Sequence, residues 1–85
     1  MKITDIRVRR VEGDTRLKAV ASITIDAAFA VHELRIIEGD NGLFIAMPSR
    51  KLPNGTFRDV AHPINSDTRE ELEKMIIEAY YNSEE

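Results

Sequence analysis

The sequence predicts an α+β domain: a small antiparallel β-sheet meander with one C-terminal α-helix. Three observations carry this. Short segments of alternating or continuous apolar residues, rich in Ile and Val, recur over about residues 2–61 and are parted by Gly-, Asp- and Asn-bearing turns. Over about 67–81 the apolar period becomes helical. The 85 residues make one domain spanning 1–85.

Ile3, Ile6 and Val8 stand among Lys2, Asp5, Arg7 and Arg9 as a first strand. Ile3 and Ile6 differ in parity, which predicts a bulge or a late strand start. Glu12-Gly13-Asp14 is a hairpin turn, after which Leu17, Ala19, Ala21, Ile23 and Ile25 hold alternate positions of a half-buried strand. Asp26-Ala27-Ala28 turns the chain into a third strand, Phe29 to Ile37, and Glu38-Gly39-Asp40-Asn41-Gly42 turns it again. Leu43-Phe44-Ile45-Ala46-Met47 is continuously apolar, as in a strand covered on both faces or meeting a partner. Leu52-Pro53-Asn54-Gly55 is a further turn, and Phe57 to Ala61 a last short strand.

The helix has N-cap candidates in Asn65-Ser66-Asp67-Thr68, and Asp67, Glu70, Glu71 and Glu73 complement its dipole. Leu72, Met75, Ile76, Ala79 and Tyr80 form its buried stripe, and Tyr81 to Glu85 are expected to fray.

A domain of this size buries only about 60% of its unfolded surface, so self-association is a natural supplement. There is no Cys, which excludes disulfides and thiolate metal sites and agrees with a reducing compartment. The opening MKITDIRVRR has no continuous apolar stretch, and no run approaches a membrane span. A soluble, cytoplasmic protein without membrane insertion is expected. The net charge is -3, but residues 1–66 carry ten Lys/Arg against eight Asp/Glu, and residues 67–85 two against seven. A mildly basic body thus precedes an acidic helix, which leaves room for a local basic face.

Asn41-Gly42-Leu43-Phe44-Ile45-Ala46-Met47-Pro48-Ser49-Arg50-Lys51 and the later Gly55-Thr56-Phe57-Arg58-Asp59-Val60-Ala61-His62-Pro63-Ile64-Asn65, continued by Ser66-Asp67-Thr68-Arg69, resemble the SpoVG family (stage V sporulation protein G). Met1-Lys2-Ile3-Thr4-Asp5 resembles the family's start, and the likeness runs to about residue 80. The resemblance implies a bacterial cytoplasmic regulator of gene expression, linked to sporulation, cell division and septation. It implies DNA and RNA binding, and a small sheet with a C-terminal helix that forms a homodimer. Some members carry a polar, partly basic tail after the helix. The present residues stop at Asn82-Ser83-Glu84-Glu85, so no binding strength from such a tail is expected here.

Catalysis is not expected. His32 lies within a strand and His62 precedes Pro63, where it serves to fix a turn. A triad could be drawn from a His, Asp59 and Ser49 or Ser66, but no nucleophile elbow supports it. Metal-ligand spacings and glycine-rich phosphate loops are missing, and no cofactor is expected. The expected function is binding.

Arg50 and Lys51 in the middle loop, Arg58 on the next strand and Arg69 in the first helical turn are the nucleic-acid-binding candidates. If loop and helix start are adjacent, they converge with free helix N–H groups on one phosphate-holding surface. The alternative is that Arg58 pairs with Asp59 or a helix Glu while Arg50 and Lys51 only solvate the loop. Arg7 and Arg9, with Lys18 across the hairpin and Arg10 beside them, form a second basic group, or else the wet face of a half-buried sheet. Phe29, Phe44, Phe57, Tyr80 and Tyr81 sit mostly at core-like positions, which disfavours base stacking on exposed rings.

Leu43, Phe44, Ile45, Ala46 and Met47 are expected to contribute to a symmetric dimer interface, unless the helix covers them within one subunit. A second reading is a protein-interaction adaptor in septation or sporulation, engaging division proteins through Glu70, Glu73, Lys74 and Glu78 or a strand edge.

Overall fold

The alternating segments form, in the computed structural model, β1 (Ile3–Arg10), β2 (Leu17–Ile25), β3 (Phe29–Gly39), β4 (Gly42–Ala46), β5 (Ser49–Lys51) and β6 (Phe57–Asp59), followed by α1 (Ser66–Asn82). Residues 2–13 and 15–83 are described; Asp14 of the first expected turn and Glu84 and Glu85 of the expected frayed end lie outside them. β1 to β4 are a four-stranded antiparallel meander in sequence order, and β5 and β6 form a separate two-stranded ribbon. The α+β meander with its terminal helix is therefore what the chain adopts.

Several boundaries differ from expectation. Ser49–Lys51 is a strand rather than loop, because the turn after it closes tightly enough to pair it with Phe57–Asp59. In that turn Gly55 adopts φ +91, the Leu52 amide donates to the Thr56 carbonyl at 2.7 Å, and Asn54 Oδ1 accepts from the Thr56 amide. β3 continues to Gly39, β6 stops at Asp59, and Tyr81 and Asn82 stay helical.

Irregularities in apolar parity are resolved by bulges. Ile3 pairs with Ile25 but Asp5 with Thr24, so Thr4 is an extra residue that brings both Ile3 and Ile6 inward. In β3, Val31 pairs with Ile23 and Leu34 with Ala21, so His32 and Glu33 together face Ser22. Glu33 takes φ +66 there, which lets Val31 and Leu34 share a face despite odd spacing. The β2–β3 turn is tight: Asp26 and Ala27 both have positive φ, and the Ala28 amide donates to the Ile25 carbonyl at 2.9 Å.

The inward face carries Ala19, Ala21 and Ile23 of β2, Leu34 and Ile36 of β3, and Ile45 with Met47 from β4 and its exit, all buried. Leu72 and Ile76 of α1 close over them, with Ile77 and Tyr80 packed alongside. Asn65 is the N-cap, its Oδ1 accepting from the Thr68 amide at 2.7 Å. The helix thus covers one face of the sheet. The face bearing Arg9, Val20, Arg35 and Ala46, which are register neighbours across β1 to β4, points away from it.

Candidate nucleic-acid interface

Arg50 and Arg58 are direct cross-strand partners in the β5–β6 ribbon. Their side chains therefore leave the same ribbon face with Cβ atoms about 5 Å apart. Both are exposed, and among the described residues neither guanidinium has a carboxylate or other hydrogen-bond partner. Arg58 is not paired with Asp59. Like charges placed directly opposite repel, so this arrangement favours an anion laid across both.

Lys51 is the neighbour of Arg50 and so falls on the ribbon's other face, opposite Phe57. Its ammonium is likewise exposed and unpaired among the described residues. That face looks into an open groove between ribbon and sheet, lined by Ser49, Phe57 and Asp59 on one side and by Arg35, Phe44 and Arg69 on the other. Arg69 is half-buried in the first turn of α1 and reaches Glu73 at 3.7 Å. The four candidates are thus divided by strand alternation: Arg50 and Arg58 on one face, Lys51 on the other, and Arg69 lining the groove that this second face meets.

Arg35 is a further cation at this site. Its Nη2 donates to the Met47 carbonyl and to Ser49 Oγ, both at 3.2 Å, and so ties β3 to the start of the ribbon. Its position between Leu34 and Ile36 signalled only an outward-facing residue. Contrary to the core-like positions expected for the aromatic residues, Phe44 and Phe57 are 45% and 69% exposed, and Phe29 and Tyr81 are also exposed. A ring in a three-residue strand at the edge of a small domain has no second layer to cover it.

The second basic group is dispersed. Arg7 pairs with Asp5 at 3.0 Å, and Lys18 with Glu38 at 3.3 Å. Arg10 turns inward to the end of α1, where its Nη2 donates to the Tyr80 carbonyl at 2.7 Å. Arg7 and Arg9 share the outer face, and of these two Arg9 is without a partner among the described residues.

Ile45 and Met47 of the apolar segment are 3% and 5% exposed beneath the helix of their own chain, and Leu43 packs on the same core. Phe44 and Ala46 face outward, so these side chains and the β4 backbone edge are what this segment offers to another molecule. On α1, Glu70, Lys74 and Glu78 are exposed at four-residue spacing, and Glu73 is half-buried against Arg69. His62 Nδ1 lies 2.9 Å from the Pro63 carbonyl, and His32 sits in the β3 bulge. Among the described residues no group of His and carboxylates is placed to hold a metal, and no helix is long and apolar enough to cross a membrane.

A sequence model of the SpoVG family matches residues 1–82. Proteins named "Putative septation protein SpoVG" are similar over nearly the whole chain. That of Acholeplasma laidlawii is 62% identical over 80 residues, covering 94% of this chain and 85% of its own. That of Caldanaerobacter subterraneus is 60% identical over 85 residues, covering 100% and 93%. That of Staphylococcus aureus is 53% identical over 85 residues, covering 100% and 85%.

Proposed function

The chain belongs to the SpoVG family, and from that premise we propose that it is a cytoplasmic, non-enzymatic regulator in septation and sporulation that binds DNA or RNA as a homodimer. The observation that carries the binding is the Arg50–Arg58 pair. Two exposed guanidinium groups are held side by side by strand register, without a carboxylate among the described residues to neutralise them. A phosphodiester backbone relieves that repulsion and releases its own counterions on contact. Lys51 and Arg69 extend the contact around the ribbon. Phe44, Ala46 and the free β4 edge are the surface for the second copy, which doubles the number of phosphate contacts.

The test is a gel-shift titration with duplex DNA and with RNA, each at two salt concentrations. Arg50→Ala combined with Lys51→Ala is expected to weaken retention and flatten the salt dependence, with little change in thermal stability. Retention equal to that of the parent rejects the site. Sedimentation as a monomer at micromolar concentration rejects the dimer. An adaptor role rests instead on the exposed Glu70, Lys74 and Glu78 row, and is supported by salt-independent recovery of a division protein without nucleic-acid retention.

A further inference from the structure

The helix leaves one end of the sheet's inner face without a second layer. Its first buried residue is Leu72, and toward the β2–β3 turn the sheet is roofed only by the connection from β6 to α1. Ile23, Ile25 and Val31 form one wall of a pocket there, and Pro63, Thr68 and Leu72 the other. The lining is predominantly apolar, and the volume is about 190 Å³. A cavity of roughly 150 Å³ with such walls stays dry and takes a benzene-sized group, so this one accommodates a leucine or phenylalanine side chain. Apolar residues continue on both sides of it. Ile25 pairs with Phe29 as Ile23 does with Val31, so Phe29 shares their sheet face, and it is 66% exposed. Ile64, next to Pro63, is 89% exposed. Apolar surface gathered around an open pocket marks a contact site, unlike single exposed residues scattered over a surface.

The charges beside this pocket are acidic. Asp67 and Glu71 are one helical turn apart, and Glu71 follows the pocket residue Thr68 by three, so both stand along the flank of α1 that borders it. Both are exposed, and neither has an ion pair or hydrogen bond among the described residues. Among the described residues no Lys or Arg lines the pocket. The rim therefore repels a polyanion and attracts a cation. Of the apolar segment that carries β4 only Met47 reaches the pocket, and it is buried beneath the helix of its own chain. The pocket opens on the helix-bearing face, opposite Phe44 and Ala46, so a second copy at the β4 edge leaves it open.

We propose that this pocket docks a protein partner by one apolar side chain, of leucine or phenylalanine size, on a segment that carries lysine or arginine beside it. The apolar side chain fills the space between Val31 and Leu72, and the neighbouring cations meet Asp67 and Glu71. Burial supplies the affinity, and opposite charge speeds the encounter and turns acidic segments away. The site is independent of the nucleic-acid reading: Arg50 and Arg58 hold phosphates on the ribbon, while the acidic flank of α1 takes basic side chains. It also differs from an adaptor role of Glu70, Lys74 and Glu78, which involves the outward row of the helix and no pocket.

The experiment titrates the full chain, carrying carbon-13 methyl labels, with three blocked pentapeptides. The first has a leucine between two pairs of lysines, the second a serine in place of the leucine, and the third glutamates in place of the lysines. The leucine peptide is expected to shift the Ile23, Val31 and Leu72 methyl signals saturably and to leave Ala46, on the opposite face, unmoved. The serine and glutamate peptides are expected to bind about tenfold or more weakly. Asp67→Asn with Glu71→Gln, at two exposed positions, is expected to weaken the leucine peptide about threefold and to remove its salt dependence. Val31→Phe fills the pocket and abolishes binding, with a melt to confirm the fold. No saturable shift at millimolar peptide overturns the proposal, as do equal affinities for the leucine and serine peptides, or shifts confined to Ala46. A Val31→Phe chain that melts like the parent but sediments as a monomer, where the parent is a dimer, assigns the pocket to an interface between copies and overturns it too.

Discussion

The guanidinium of Arg10 stands 4.2 Å from the centre of the Tyr80 ring while its Nη2 donates to the Tyr80 carbonyl at 2.7 Å, seventy positions along the chain. The same nitrogen reaches the Ser83 carbonyl at 3.2 Å. The last turn of α1 has no basic residue of its own, so a strand residue supplies the cation that the helix dipole favours there. Removing it takes the charged donor from the Tyr80 carbonyl, which then keeps the Ser83 amide at 3.1 Å.

Arg10→Met, which keeps much of the apolar stem, is expected to destabilise the fold by about 2 kcal/mol, the worth of hydrogen bonds to a charged group. That is a fall in Tm of about 8–16 °C for a domain of this size. Arg10→Lys recovers little, because an ammonium cannot span two carbonyls and stack on a ring together. Calorimetry on both variants checks this; an unchanged Tm for Arg10→Met refutes it.

Asn65 caps the other end of the helix. Asn65→Ala is expected to cost about 1 kcal/mol, and Asn65→Asp almost nothing, since the carboxylate accepts the same amide hydrogen and favours the dipole. Urea midpoints at constant m-value distinguish the two.

Ala27 holds φ +54 in the β2–β3 turn, where its amide donates to Thr4 Oγ1 at 2.9 Å. A left-handed conformation costs an L-residue about 1–2 kcal/mol, and glycine's extra flexibility about 0.5–1 kcal/mol. Ala27→Gly is therefore expected to raise stability by about 0.5–1 kcal/mol. Ala27→Val lowers it. Thermal melts in which the order of the two variants is reversed exclude this account of the turn.

Arg58→Glu separates stability from binding. The substitution exchanges a cross-strand repulsion for an attraction worth about 0.2–1 kcal/mol, so Tm should not fall. Nucleic-acid retention should fall sharply, with a smaller salt slope. A lower Tm with retained binding contradicts the role given to the Arg50–Arg58 pair.

Much of the architecture was legible. The unequal parity of Ile3 and Ile6 left a bulge or a late strand start open, and the Thr4 bulge is the one adopted; Leu72 and Ile76 at four-residue spacing marked the helix. The β5 strand was not legible, because three residues are too few for a period to show and their pairing depends on the turn at Gly55. The exposure of Phe44 and Phe57 was not legible either, because hydrophobicity tells what a side chain prefers and not whether any layer is left to cover it.

By itself the sequence determined the order of the four sheet strands and the helix, the turns between those strands and the family. These rest on local periodicity and side-chain type, which neighbouring residues already encode. Only the tertiary structure decided that Arg50 meets Arg58, that Lys51 is turned from them toward Phe57, and that Arg10 belongs to the helix end. Each of these depends on pairing register and on contacts between distant segments. A shift of one residue would reverse every face, and the excluded volume of the packed sheet selects the alignment that survives.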